Sequence, residues 1–314
     1  MTKRRAKAKS THHILHFTAF MSALVALTAW AHQQGLIAWQ LPPGLANAVT
    51  QISNGTLPSI SAMAANDGGG LGATAGASSD NCAAQFLAGQ APSLTNEKLA
   101  AKTHQLCYTG FAVLDSGLTR TPLWAAEHLT RERIAEAKQL KREGAFHADV
   151  NLPADERAEL DDYKGYDFDR GHMAPNGDMP NKQAQAECFT LANIVPQNAD
   201  NNRGVWKEIE GKVRDLAAED SDVYVVSGPI FGGDNVETLH DRVMVPTQFF
   251  KAVYDVKRHQ GAAYLVQNAA GKAYETISLS KLQSLTGINP FPGVSDSATT
   301  GELALPAPTA NQHG

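Results

Sequence analysis

Residues 66–81, NDGGGLGATAGASSDN, set the outer bound on what this chain can fold into, because they cut off everything before them from the one long region able to build a core. Glycine, alanine and serine offer little apolar surface to bury and much backbone entropy to lose, so the run reads as the end of a flexible linker over residues 32–80. Its glycines are spaced somewhat like a dinucleotide fingerprint, but no strand pattern precedes them and no helix pattern follows, so the match is coincidence. Residues 295–314, SDSATTGELALPAPTANQHG, have the composition of a disordered tail. What remains, residues 81–294, is one continuous body without repeats or a second linker.

Ahead of the linker, MTKRRAKAK is followed by the apolar run ILHFTAFMSALVALTAWA, which closes on Ala29-Trp30-Ala31, a small-x-small cleavage pattern. Residues 1–31 therefore read as a signal peptide delivering a periplasmic or secreted protein. The alternative is an uncleaved anchor, since the apolar run of residues 14–31 reaches the lower limit of a membrane-spanning helix. Export allows disulfides. Cys82 and Cys107 flank a segment at the start of the body and form the candidate pair, whereas Cys188 sits in CFTLANIV, a pattern that suits a buried free thiol. Three reduced core cysteines are the other reading, and no CxxC spacing suggests zinc.

Charge narrows the partners. The chain carries 27 basic and 32 acidic residues, but five of the basic ones lie in the first nine positions; without them the formal balance is 22 against 32, or −10. A body of that sign lacks the footprint of a general nucleic-acid binder, so any site for a polyanion must be a local basic patch.

Within the body, YTGFAVLD followed by Asp115-Ser116-Gly117, then DVYVVSG, TQFFKAVYDV and AAYLVQN, read as strands of a mostly antiparallel sheet. RERIAEAKQL has helical spacing, as do Val205, Ile209, Val213 and Leu216. The class is mixed α and β.

The stretch DFDRGHMAPNGDM, residues 167–179, concentrates reactive side chains. If FDRGH is extended, Arg170 and His172 share one face and Asp169 takes the other. An arginine beside a histidine suits an anionic substrate: the guanidinium grips a phosphate through forked donors and keeps the neighbouring imidazole neutral and able to accept a proton. Gly171 permits close approach of another group. A polar turn whose Asp and His cap backbone groups is the plainer reading. Further on, Asn202 lies on the apolar side of a helix, where it serves either as an N-cap, a role Asn201 could also fill, or as an oxygen ligand to a hard cation such as Mg²⁺. Glu210 follows near the same face. In KREGAFHADVNLP, Arg142, Phe146 and Asp149 sit at intervals of four and three, by themselves a solvated loop with one anchoring aromatic.

Taken in order, R-x-x-x-F-x-x-D, DRGHMAP, NIVPQ and NNRGVWKEIE resemble the DNA/RNA non-specific endonuclease family, with further similar pieces in TPLWAAEHLT, VVSGPIF and VPTQFFKAVYD. The resemblance runs from about Cys82 to Pro292. It implies an α+β fold: a ββα-metal (His-Me finger) nuclease core with a central, mostly antiparallel sheet flanked by helices. The implied activity is Mg²⁺-dependent cleavage of DNA and RNA, with Mn²⁺ as a possible substitute and homodimers occurring in the family. Residue by residue, His172 matches the general base, Asn202 the protein ligand of a single metal, and Glu210 the acid that holds metal-bound water. Arg170 is the arginine of the motif and Arg142 the upstream arginine near the phosphate. Asp169 supports the site's geometry, and Asp167 and Asp178, which at first suggest a carboxylate pair, are structural. A basic cleft of Arg142, Arg170, Arg203 and Lys207 would reconcile an acidic body with a polyanionic substrate; the plainer reading has Arg203 and Lys207 solvating a helix. Other outcomes for such a chain are a catalytically silent nucleic-acid-binding module or a nuclease restricted to one nucleic acid. No GxSxG or HExxH supports a serine hydrolase or zinc protease.

Overall fold

The apolar runs of the body pair into one sheet. The computed structural model describes residues 82–220, 222–233, 236–294 and 303–308. Its principal strands are β1 (Thr103–Cys107), β2 (Ala112–Ser116), β3 (Thr121–Leu129), β4 (Phe168–His172), β5 (Ile194–Asn198), β6 (Val223–Ile230), β7 (Gln248–Asp255), β8 (Gln260–Gln267) and β9 (Tyr274–Ile277). Its helices are α1 (Arg131–Lys138), α2 (Lys182–Cys188), α3 (Lys207–Asp220) and α4 (Leu279–Thr286). Seven strands form an antiparallel sheet in the order β9-β8-β7-β6-β3-β2-β1, while β4 and β5 pair only with each other. YTGFAVLD contributes to β2, and DVYVVSG, TQFFKAVYDV and AAYLVQN give β6, β7 and β8. RERIAEAKQL gives α1, whose first turn is capped by the Thr130 hydroxyl accepting from the Arg133 amide at 3.2 Å.

The middle of the sheet is covered on both faces, which is why its strands read as near-continuous apolar runs. Along β7, Phe249 and Val253 enter the core on one side, while Phe250, Ala252 and Tyr254 enter the core on the other, the period of two that a pleated strand imposes. The first face receives α3 through Ile209, Val213 and Leu216, each side chain worth about 1.5–3 kcal/mol when fully buried. The second is covered by α4 through Leu279 and Leu282. Polar residues interrupt the first face at inward positions, among them Glu127 on β3, Ser227 on β6 and Lys251 on β7, all buried.

A two-stranded ribbon is marginal by itself. The β4–β5 pair is held on both sides, Met173 and Val195 entering the main core and Ile194 a second cluster with Tyr163, Leu191 and Leu239. Its register sets Asp169 opposite Gln197, Arg170 opposite Pro196 and His172 opposite Ile194. A Cβ on Gly171 would come within 2.7 Å of the Gln197 Cβ, so the close approach expected at this glycine is to the partner strand's side chain. Gln197 in turn donates to Asn201 Oδ1 at 2.8 Å, and Asn201 donates to the Gln267 carbonyl on β8 at 2.8 Å. From β5 the chain passes through the turn Ala199–Asn201 and a π-helical segment, Asn202–Trp206, into α3. Two paired strands, joined through α2, and the helix that follows the second of them give the ββα core within an α+β fold.

Cys82 and Cys107 are joined in a disulfide with a Cα–Cα separation of 5.4 Å, and Cys188 is a buried free thiol. The leader and anchor readings for residues 1–31 and the linker of residues 32–80 lie outside the described residues. The tail reading needs correction in part. Residues 303–308 lie on the body: Leu303 is buried in the main core, and the Tyr264 hydroxyl donates to the Pro306 carbonyl at 2.7 Å. The two leucines of GELALPAP carry apolar surface that the tail's average composition hides.

Candidate functional site

His172 ends β4 with its ring walled by Phe146 and Phe189, at centroid distances of 5.5 and 5.1 Å. It is only 8 % exposed, and its Nε2 is buried without a hydrogen-bond partner among the described residues. Burial and the nearby Arg142 charge push the imidazole down to about 3, so the ring is neutral across the whole physiological range. Arg170, two residues back, spreads its guanidinium over the rings of Phe146 and Tyr163 at 5.1 and 5.8 Å.

The loop carrying Arg142 and Phe146 is fixed by its own acid. Asp149 is buried and accepts from the Tyr108 hydroxyl, from Thr190 Oγ1 at 3.1 Å and from the Asn151 amide at 2.9 Å. Backbone bonds from His147 to Phe189 and from Leu191 back to His147 stitch the loop to the chain beside α2. Arg142, exposed, lies over the Phe189 ring at 5.6 Å.

The helix supplies the third side. The cap of its first turn is Asn198, whose Oδ1 accepts from the Asn201 amide at 3.2 Å, so Asn202 does not serve as the cap. Instead Asn202 donates through Nδ2 to Asp169 Oδ2 at 2.8 Å, and its Oδ1 accepts nothing among the described residues. Arg203 forks onto the same carboxylate at 2.9 and 2.6 Å. Although burial alone would raise it, these bonds from Arg203 and Asn202 hold the Asp169 carboxyl below its ordinary range. Asp169, set between Arg170 and Phe168 on β4, is thus met by Asn202 and Arg203 from the helix, the supporting position expected of it.

Two adjoining cavities share Arg142, Arg170, Asn202 and Arg203. One, of about 450 Å³, is bordered by Arg170, His172, Asn202, Arg203, Lys207 and Glu210, so the four basic residues expected to form a patch do line one cleft. Desolvation pushes the Glu210 carboxyl up to about 7 against the pull of Lys251 and Arg214. Asp178 is ion-paired to Arg214 at 2.8 Å, a structural position.

This donor set fits a sparsely held hard cation. Asn202 offers a carbonyl oxygen with unspent lone pairs and Glu210 borders the same cavity. No cluster of three or more His, Cys, Asp or Glu gathers among the described residues. A divalent ion here would take few protein ligands and keep several waters, the habit of Mg²⁺.

The buried imidazole also has a cost that pH exposes. Below its ordinary value near 6.5 the unfolded chain takes up a proton that folded His172 refuses until about 3. Stability contributed at neutral pH is therefore lost as pH falls through that window. Melting temperatures measured between pH 7 and pH 4 should fall more steeply for the native chain than for His172→Ala; parallel curves would contradict this.

Two participants carried only a faint signal in sequence. Lys251 sits at an inward position of the apolar run TQFFKAVYD; its buried ammonium donates to Ser227 Oγ at 2.6 Å and lies 5.0 Å from the Trp206 ring. Glu127, equally inward in TPLWAAEHL, pairs with Arg133 at 3.2 Å, and burial raises its carboxyl to about 8. An isolated charge on the core-facing period of a strand was the sign that could have found both.

Comparison with known proteins follows the same lines. The family model for DNA/RNA non-specific endonucleases matches residues 91–297. The mitochondrial nuclease EXOG of Danio rerio is 38% identical over 181 residues, covering 52% of this chain and 52% of its own. Human mitochondrial nuclease EXOG is 34% identical over 215 residues, covering 60% and 57%. The chain thus spans little more than half the length of these curated relatives. A chain in a crystal structure of the EndoG/EndoGI complex shares the fold with a TM-score of 0.55 at 24% identity, covering 63% of this chain and 92% of that one. The mitochondrial names of these relatives contradict the periplasmic, secreted or membrane-held localisation expected of this chain. Basic, acid-free leaders are common to export and organelle targeting, so residues 1–31 alone could not separate the two.

Proposed function

Because the chain belongs to the DNA/RNA non-specific endonuclease family, we propose that it is a Mg²⁺-dependent endonuclease that hydrolyses phosphodiester bonds in both DNA and RNA. The observation that carries this reading is the His172 imidazole, neutral, with a buried and unspent nitrogen, lining one cleft with Arg142, Arg170, Asn202 and Glu210. A general base must be unprotonated and next to the bond it serves, and an arginine fork is the group that holds a phosphate there.

In this reading Arg170 and Arg142 take non-bridging phosphate oxygens and orient phosphorus toward the imidazole. His172 accepts the proton of the attacking water. Asp169 grips Asn202 and Arg203 and so fixes the carbonyl of one and the guanidinium of the other. Glu210 orients water at the cleft floor. Held by Asn202, Mg²⁺, or Mn²⁺ in its place, supplies neutralisation of the charge that develops on the phosphate and the leaving 3′ oxygen. All these contacts go to phosphate and none to a base edge, which favours indifference to sugar and sequence.

Supercoiled plasmid and a mixed RNA, incubated side by side with the protein and Mg²⁺, should both be cut. Two intact substrates would point to a silent binding module, and cutting of only one would narrow the enzyme to that nucleic acid.

A further inference from the structure

The half of the cleft away from Glu210 is built from different material. A cavity of about 490 Å³ is lined by Phe146, Tyr163, Tyr166 and Phe168 beside Arg170. Gripping phosphate needs no rings, and of the four here only Tyr163 is buried, so the half-buried Tyr166 and Phe168 leave apolar surface open beside the arginines. We infer that this cavity is a nucleobase subsite, which accepts an unstacked base of a single strand while the adjoining phosphate lies on Arg170 and His172. The inference rests on reading the site as a nuclease centre and names the strand form that centre takes.

The strand β4 sets the spacing. Phe168, Arg170 and His172 occupy alternate positions, so ring, guanidinium and imidazole succeed one another at steps of about 6.7 Å. Bases in a stacked strand follow one another at about 3.4 Å. A base lying against an aromatic side chain here takes that ring in place of its neighbour, which a duplex allows only after the base has left the stack.

The rings are also prepared for the task. Tyr166 is held by its hydroxyl, which accepts from the His240 amide at 2.9 Å, and by an edge contact with the His240 ring at 5.0 Å. Tyr163 is buried as a floor under Arg170. Phe168 is half-buried and Phe146 gives one face to Arg170. Fixed rings lose little freedom on binding, and stacking on them is tolerant of base identity because every base has a π face. The single carboxylate at the cavity, Asp169, is already engaged by Arg203 and Asn202, so it does not oppose a polyanion as a free charge would. The volume falls in the usual range for a small-molecule pocket.

Fluorescence anisotropy in EDTA, where binding is read without cleavage, tests this with a short oligothymidylate and an abasic strand of the same length. The thymidylate should bind about 5- to 150-fold more tightly for each stacked base. Phe168→Leu and Tyr166→Leu, which keep apolar bulk but remove a ring, should pull thymidylate binding down to the abasic level and leave abasic binding in place. Equal affinities of the native protein for the two strands would overturn the subsite, and that comparison needs no variant to fold. An equal loss for both strands in the leucine variants would overturn it too. Plasmid nicking with Mg²⁺ by the same preparation reports the nuclease reading separately: nicking with equal strand affinities sinks the subsite alone, and base-dependent binding without nicking sinks the nuclease reading alone.

Discussion

Replacing His172 by alanine is expected to lower phosphodiester cleavage about 10²–10⁴-fold, the usual contribution of a positioned base, while the variant still folds. The folded state loses the ring's packing against Phe146 and Phe189 but no hydrogen bond of Nε2 among the described residues, and the strand pairing through Ile194 belongs to the backbone. What disappears is a neutral proton acceptor in a cleft lined by Arg142 and Arg170. Initial rates on plasmid, with circular dichroism of the same samples, separate chemistry from folding. A variant that folds and cuts at the native rate would remove His172 from the mechanism.

The second large effect concerns the cation. EDTA is expected to stop cleavage, and Mg²⁺ or Mn²⁺ to restore it. Asn202→Ala should cost on the order of 10²–10³-fold in rate, the scale seen when a single electrostatic stabiliser is taken from a transition state. The helix should survive the change, because Asn198 rather than Asn202 caps it. The side chain's one described bond is to Asp169, which keeps its fork from Arg203. Full activity in chelator, or a folded Asn202→Ala variant with native rates, would leave the carbonyl without the role assigned to it.

Much of this was legible in sequence because the pertinent signals are local. Strand patterns in DVYVVSG and TQFFKAVYDV depend on neighbours along the chain, and so does the spacing of Val205, Ile209 and Val213. What was not legible depends on partners far apart. The fork of Arg203 onto Asp169 joins residues 34 apart, and the bond from Lys251 to Ser227 joins strands that meet only once the sheet forms. Localisation failed on different grounds, since a basic apolar leader is compatible with several membranes.

The pairing of β3 with β6 has an architectural consequence. Those strands are neighbours in the sheet, yet every residue assigned to the chemistry, from Arg142 to Glu210, lies in the chain between them. Without that stretch, the remaining strands run β1, β2, β3, β6, β7, β8, β9 in both sequence and space, a plain antiparallel meander. The candidate site is one long excursion from a single turn of that meander. Closing a loop costs only about 0.6 kcal/mol more for each doubling of its length, so the sheet can carry the excursion cheaply, and it meets the excursion through inward groups such as Lys251, which reaches the Met173 carbonyl and the Trp206 ring.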